Sequence, residues 1–181
     1  MSRIGTAPII LPEGIDLKIN GSNVSVKGKL GEISRDFPKT INIKLDDKIL
    51  SVNRLNNNPD QKALHGLSRS LLNNMIIGVS SGFTKRLELI GTGYRVQQKG
   101  KSIQLSIGFS HNVDIQPNGS NKLSAEGQNI IIVTGVDKQS VGDQAANIRK
   151  LRKPNPFTGK GIKYENEIIK RKAGKAAATS A

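Results

Sequence analysis

The chain reads as an α+β protein: two similar small domains, each an antiparallel sheet covered by a helix, related by internal duplication and followed by a basic C-terminal extension. Three observations predict this. Apolar residues alternate at period two through most of both halves, the period changes to 3.6 once in each half, and the strands-then-helix order recurs at an offset of roughly eighty residues.

In the first half Leu17 and Ile19, then Val24 and Val26, alternate as short antiparallel strands. Asn20-Gly21 between them is the strongest hairpin signal, because both residue types tolerate positive φ. Ile41, Ile43 and Leu45, then Leu50 and Val52, continue the pattern, with a turn at Asp46-Asp47. From Asp60 the spacing becomes helical. Leu64, Leu67, Leu71 and Met75 fall on one face, Pro59-Asp60 offers a start and Gly78 a stop, so this helix should cover the sheet.

The second half follows the same order. Leu87 and Leu89, Tyr94 and Val96, then Ile103, Leu105 and Ile107 alternate; Val113 and Ile115 follow, and residues 130–133 form a nearly continuous apolar strand. Val141, Ala145, Ile148 and Leu151 then give a second helix. The expected division is an N-terminal domain at 1–82, a second domain at 83–152 and a basic extension at 153–181. The boundary belongs in residues 79–84, where Ser80, Ser81 and Gly82 follow the first helix; the alternative is one continuous fold in which this stretch is only a loop.

Composition narrows the chemistry. The 181 residues are 35% apolar, with no Trp, two Tyr and four Phe, so the cores must be aliphatic. The absence of Cys excludes disulfides, Cys-based zinc sites and a Cys nucleophile. Two His are too few for a His-rich metal site, and no cofactor, metal or small-molecule substrate is expected. There is no run of about eighteen apolar residues to span a membrane, and no apolar signal core opens the chain.

Charge is concentrated rather than spread. Residues 148–175 hold ten Lys and Arg against Glu165 and Glu167 alone, so eight of the fourteen net positive charges lie there. This segment is broken by Pro154, Pro156, Gly159 and Gly161, and Ile162, Tyr164, Ile168 and Ile169 are interleaved with its charges. A simple solvated charge run would not need those apolar residues, although residues 173–181 read as solvated tail. Such a segment attracts a polyphosphate backbone, making nucleic acid the expected partner.

Catalytic constellations are lacking. Asp46-Asp47 reads as a solvated turn; His65, beside the helix's apolar face, reads as a partly buried or RNA-contacting imidazole; His111 sits with Ser110 and Asn112 in a turn. Gly91-Thr92-Gly93 does not open a helix, so a bulge or close backbone approach explains it better than a phosphate loop. Gly159-Lys160-Gly161 lacks the rest of a Walker loop, but its glycines would let backbone amides and Lys160 approach a phosphate closely. The chain is not expected to be an enzyme.

Lys supplies point charges to phosphate, while Arg149, Arg152 and Arg171 can make bidentate contacts. Tyr164 or Phe157 could stack on a base, pack on a sugar or anchor the core. RNA is favoured over DNA because the chain has no base-reading basic helix, zinc finger or dimeric basic region, and folded RNA is read largely by shape. The Gly, Pro and Lys content suggests that the tail folds on contact.

The run Pro154-Asn155-Pro156-Phe157-Thr158-Gly159-Lys160-Gly161-Ile162-Lys163-Tyr164, continuing through Glu165 and Glu167 to Lys172-Ala173-Gly174-Lys175, resembles the signature of the large-ribosomal-subunit protein six family, bacterial and plastid type. Ser2-Arg3-Ile4-Gly5, Pro8-Ile9 and Leu11-Pro12-Glu13-Gly14 look like its N-terminus. Gly91-Thr92-Gly93-Tyr94-Arg95 and Leu105-Ser106-Ile107-Gly108-Phe109-Ser110-His111 fit its second domain. Phe157 and Thr158 depart from the family's usual Tyr and Lys, so the contacts of that hydroxyl and that charge are not carried over.

The resemblance implies two similar α+β domains and no catalytic activity. It implies binding to 23S ribosomal RNA near its 3′ end, close to the sarcin-ricin loop where translational GTPases dock, among neighbouring large-subunit proteins, in a bacterial cytoplasm or plastid stroma. The second domain and tail would make most contacts. The expected RNA-binding residues are Lys85, Arg86, Arg95, Arg149, Lys150, Arg152, Lys153, Gly159, Lys160, Gly161, Lys163, Tyr164, Lys170, Arg171 and Lys172, with Arg69 and His65 as weaker candidates. Competing readings are an RNA-processing enzyme using His65 or His111 and a general architectural nucleic-acid binder. A membrane-surface protein is disfavoured because no helix pairs a wide apolar face with a Lys-rich one.

Overall fold

The computed structural model describes residues 4–174, so the family-like Ser2-Arg3 and the closing Lys175 lie outside the described residues. The chain divides into two compact units, one running to Phe83 and including Val136–Lys138, the other formed by the remaining described residues.

The first unit contains β1 (Ile9–Ile10), β2 (Asp16–Asn20), β3 (Asn23–Gly28), β4 (Gly31–Asp36), β5 (Ile41–Asp46), β6 (Ile49–Arg54) and α1 (Pro59–Ser80). Its strands form two antiparallel sheets, ordered β1-β6-β5 and β2-β3-β4. Alternation sends Val24 and Val26 of β3, and Leu50 and Val52 of β6, into a core closed by Leu72, Met75, Ile76 and Val79 of α1. The first hairpin pairs Asn20 with Asn23 and turns on Gly21, whose φ is 61°. Asp47 adopts a φ of 54° in the second, a conformation that a short polar side chain tolerates. β1 and β4 were not legible: β1 has two residues and β4 a single apolar one, Ile33, opposite Val26.

Helix α1 differs from the predicted helix in face and in end. Its buried stripe runs through His65, Ser68, Leu72, Met75, Ile76 and Val79, while Leu67 is 54% exposed. Two polar residues take buried positions, so hydrophobicity alone points to a neighbouring face. Gly78 does not stop the helix. It is buried within it, where a Cβ would fall on the Val136 carbonyl oxygen, so the residue serves close packing rather than termination.

Apart from the first residues of β7 and α2, Phe83 and Lys138, which group with the first unit, the second unit contains β7 (Phe83–Ile90), β8 (Arg95–Lys99), β9 (Ser102–Ser106), β10 (Val113–Ile115), β11 (Lys122–Glu126), β12 (Ile130–Gly135), α2 (Lys138–Leu151) and β13 (Gly161–Tyr164). Its sheets are ordered β10-β9-β8 and β11-β12-β7-β13. Adding six to each strand number of the first unit reproduces these neighbours, with β13 as the addition. α2 buries Val141, Gln144, Ala145 and Ile148; Leu151, expected on the same face, is 37% exposed. Gln144 is satisfied inside by donating to the Gln116 carbonyl and accepting from Asn121 Nδ2 at 2.8 Å and from the Asn118 amide.

Candidate nucleic-acid interface

The basic segment is not only an extension. After α2 the chain turns at residues 152–160 and enters the sheet as β13, pairing antiparallel with β7 so that Gly161 faces Ile90 and Tyr164 faces Leu87. Ile162 is completely buried there, which explains an apolar residue among so many charges. The turn is knitted by backbone bonds: the Asn155 amide donates to the Lys160 carbonyl, the Gly159 amide to the Asn155 carbonyl at 2.7 Å, and the Ile162 amide to the Arg152 carbonyl. Asn155 Oδ1 also accepts the Phe157 amide. Farther along, the Lys172 amide donates to the Pro156 carbonyl. The described tail residues thus contact one another and the second unit through their own backbone.

These bonds change the roles of the two glycines. The Gly159 amide is engaged with Asn155, and a Cβ at Gly159, whose φ is 73°, would meet the Arg171 guanidinium at 3.0 Å. A Cβ at Gly161 would lie 2.5 Å from Pro154 Cα and 2.7 Å from the Lys153 carbonyl oxygen. Both glycines admit other parts of the same chain, rather than offering the open approach for a phosphate expected from sequence.

Several basic residues are neutralised within the protein. Arg149 on α2 grips Glu167 with both arms of its guanidinium. Those hydrogen bonds hold the Glu167 carboxyl below its ordinary range against the opposing effect of burial, assisted by the Tyr164 amide; the same bonds raise Arg149. Arg86 meets Glu126 at 2.5 Å and Glu165 at 3.1 Å, the latter an ion-pair contact without hydrogen-bond geometry. Lys163 pairs with Glu88 across the β13–β7 ladder at 2.9 Å. The Tyr164 ring has Arg149 Cζ 5.6 Å and Lys85 Nζ 5.9 Å from its centroid, an arrangement that fits anchoring rather than an open stacking face.

The remaining predicted cations are displayed. Arg95, Lys150, Arg152, Lys153, Lys160, Lys170, Arg171 and Lys172 are exposed, and no ion pair engages them among the described residues. Arg95 stands apart from the tail on β8, where it lines a shallow polar cavity with Gln97, Gln104, Ser106 and Asn112.

His65 and Arg69 are engaged within the protein. The His65 ring is buried, its Nε2–H donating to the Val52 carbonyl at 2.7 Å and its Nδ1 accepting from Arg54 at 2.9 Å. Gly5 lies against it, where any Cβ would strike the imidazole. Arg69 donates to the Ala7 and Pro8 carbonyls, holding down the segment before β1.

Comparison with known proteins decides the family. The family model described as "Ribosomal protein L6" matches residues 11–82 and again residues 90–165, the two matched segments following the duplicated topology. The chain belongs to the ribosomal protein L6 family. Among its curated relatives, Large ribosomal subunit protein uL6 of Desulforamulus reducens is 52% identical over 97% of each chain. The uL6 proteins of Carboxydothermus hydrogenoformans and of Clostridium botulinum strain Langeland are 47% and 48% identical, over 97% of this chain and 96% and 98% of theirs. This L6-family chain is therefore a structural constituent of the ribosome and not an enzyme.

One cluster in the L6-family chain escaped sequence reasoning. The exposed Phe109 and His111 rings stack with centroids 5.9 Å apart and planes 12° from parallel, and Arg152 Cζ lies 5.3 Å from the Phe109 centroid. The motif 105–111 was visible as a family resemblance, but its meeting with Arg152, beyond α2, was not.

Proposed function

We propose that this chain binds 23S ribosomal RNA near its 3′ end, close to the sarcin-ricin loop and the translation-factor site, and stabilises RNA tertiary structure there. Neighbouring large-subunit proteins are its other partners, translational GTPases dock nearby, and the setting is a bacterial cytoplasm or a plastid stroma. Residues 1–82 and 83–152 act as two domains and residues 153–181 as the basic RNA-binding segment, with the second domain and this segment making most contacts.

The observation that carries this reading is the division among the cations. Lys150, Arg152, Lys153, Lys160, Lys170, Arg171 and Lys172 have no carboxylate partner among the described residues, yet they stand on a backbone anchored by β13. Displayed cations on an ordered scaffold match a rigid polyanion with little ordering cost. Lys85 and Arg95 extend the cationic set, while Arg86, Arg149, Lys163 and Tyr164 hold the scaffold in shape.

The test is a salt titration of the full chain against 23S ribosomal RNA, a DNA duplex and an unrelated RNA. Preference for 23S RNA is expected, with Lys160→Gln, Lys170→Gln and Lys172→Gln each lowering the log-log salt slope by about one. Equal affinity for all three nucleic acids would sink the reading. Point substitutions are required, because truncation after Leu151 would delete β13 together with the charges.

A further inference from the structure

We infer that the loop between β9 and β10 is a stacking platform for an unpaired RNA base, to which Arg152, alone among the displayed cations, lends its guanidinium plane; this rests on the RNA reading above. Phe109 is 40% exposed although the adjoining Ile107 is fully buried, so the loop displays a ring that the core does not need. His111 lies nearly parallel to it, and the Arg152 guanidinium covers the same ring system. Three planar groups in contact, two of them nitrogen-bearing, present a surface suited to the π-face of a base. No acidic residue occurs between Ile107 and Val113, so nothing in the loop repels a nucleotide's phosphate.

A second feature adjoins the rings. Asn112, immediately after His111, lines the cavity of about 190 Å³ formed with Arg95, Gln97, Gln104 and Ser106. Gln104 spends its amide nitrogen on Asp114 at 2.8 Å, while the Asn112 and Gln97 amides, the Ser106 hydroxyl and the Arg95 guanidinium can meet the polar edge of a base whose face rests on His111. The two features together favour an unpaired nucleotide over a duplex, whose bases are stacked on one another.

The test compares His111→Ala, Phe109→Ala and His111→Phe in the full chain, binding 23S ribosomal RNA, a single-stranded homopolymer RNA and that homopolymer's duplex. Thermal unfolding identifies any variant that loses its fold. The alanine variants should lose about 5- to 100-fold in affinity for the first two ligands, with the salt slope unchanged and duplex binding unaffected; His111→Phe should restore the affinity. Undiminished affinity of His111→Ala would overturn the inference. So would a slope lowered by about one that His111→Phe fails to recover, since that marks a phosphate contact. If wild-type preference for 23S RNA is absent while the homopolymer losses persist, the ribosomal target falls and the platform stands.

Discussion

Arg149 of α2 and Glu167, just beyond β13, form a two-pronged ion pair that ties the basic segment back to the second unit's helix. The partly shielded pair consumes the largest hydrogen-bonding cation of α2 for structure. Glu167 also accepts the Tyr164 amide, so one carboxylate secures both the end of β13 and the helix.

Glu167→Gln should lower stability by about 1–2 kcal/mol at neutral pH, the scale of a charge-assisted hydrogen bond in a partly exposed setting. The sign with pH follows from linkage. The folded-state carboxyl is held below its unfolded value, so its contribution is full above the unfolded carboxylate range and is lost as pH falls through the depressed folded value. Denaturant unfolding of both proteins from pH 7 to pH 3 should show the gap closing with acid; a gap that stays constant would refute the ion-pair account.

Ile162→Ala should destabilise the protein by about 2–4 kcal/mol, because a fully buried side chain is truncated in a strand anchored at a sheet edge. Amide exchange should speed up at residues 161–164 ahead of β12. A cost typical of exposed sites would mean that β13 is dispensable.

Two helical glycines should respond with opposite signs. Gly78→Ala places a methyl group on the Val136 carbonyl oxygen and should cost about 1–3 kcal/mol, whereas Gly142→Ala meets nothing within 4 Å and should gain about 0.5–1 kcal/mol from helix propensity. Paired chemical denaturation curves decide this, and equal signs would contradict the packing described for α1.

His65→Ala should cost about 1–3 kcal/mol by leaving the buried Val52 carbonyl without its side-chain donor and opening a cavity beneath Gly5. Affinity for 23S RNA, measured where the variant is folded, should be unchanged. A selective loss of RNA binding would restore the contact role expected from sequence.

Much of the architecture was legible because it is written locally. Val24/Val26 and Leu50/Val52 alternate at the strand period, Gly21 and Asp47 sit in tight hairpins, and the second half repeats the strands-then-helix order. The face of α1 was not legible, since Ser68 and His65 are buried by virtue of close packing and a carbonyl partner supplied from β6. β13 was hidden because its partner, β7, lies far earlier in the chain and only Ile162 betrays burial within a charged run.

The sequence by itself determined the aliphatic cores, the duplicated α+β plan, the concentration of positive charge and the family. Those properties depend on residue type, period and order along the chain. Only the tertiary structure decided which cations are displayed and which are spent internally, and that Phe109, His111 and Arg152 share one surface. Charge pairing and stacking act through space over a few ångströms, and the sheet that brings Glu88 to Lys163, Glu126 to Arg86 and α2 to Glu167 sets those distances.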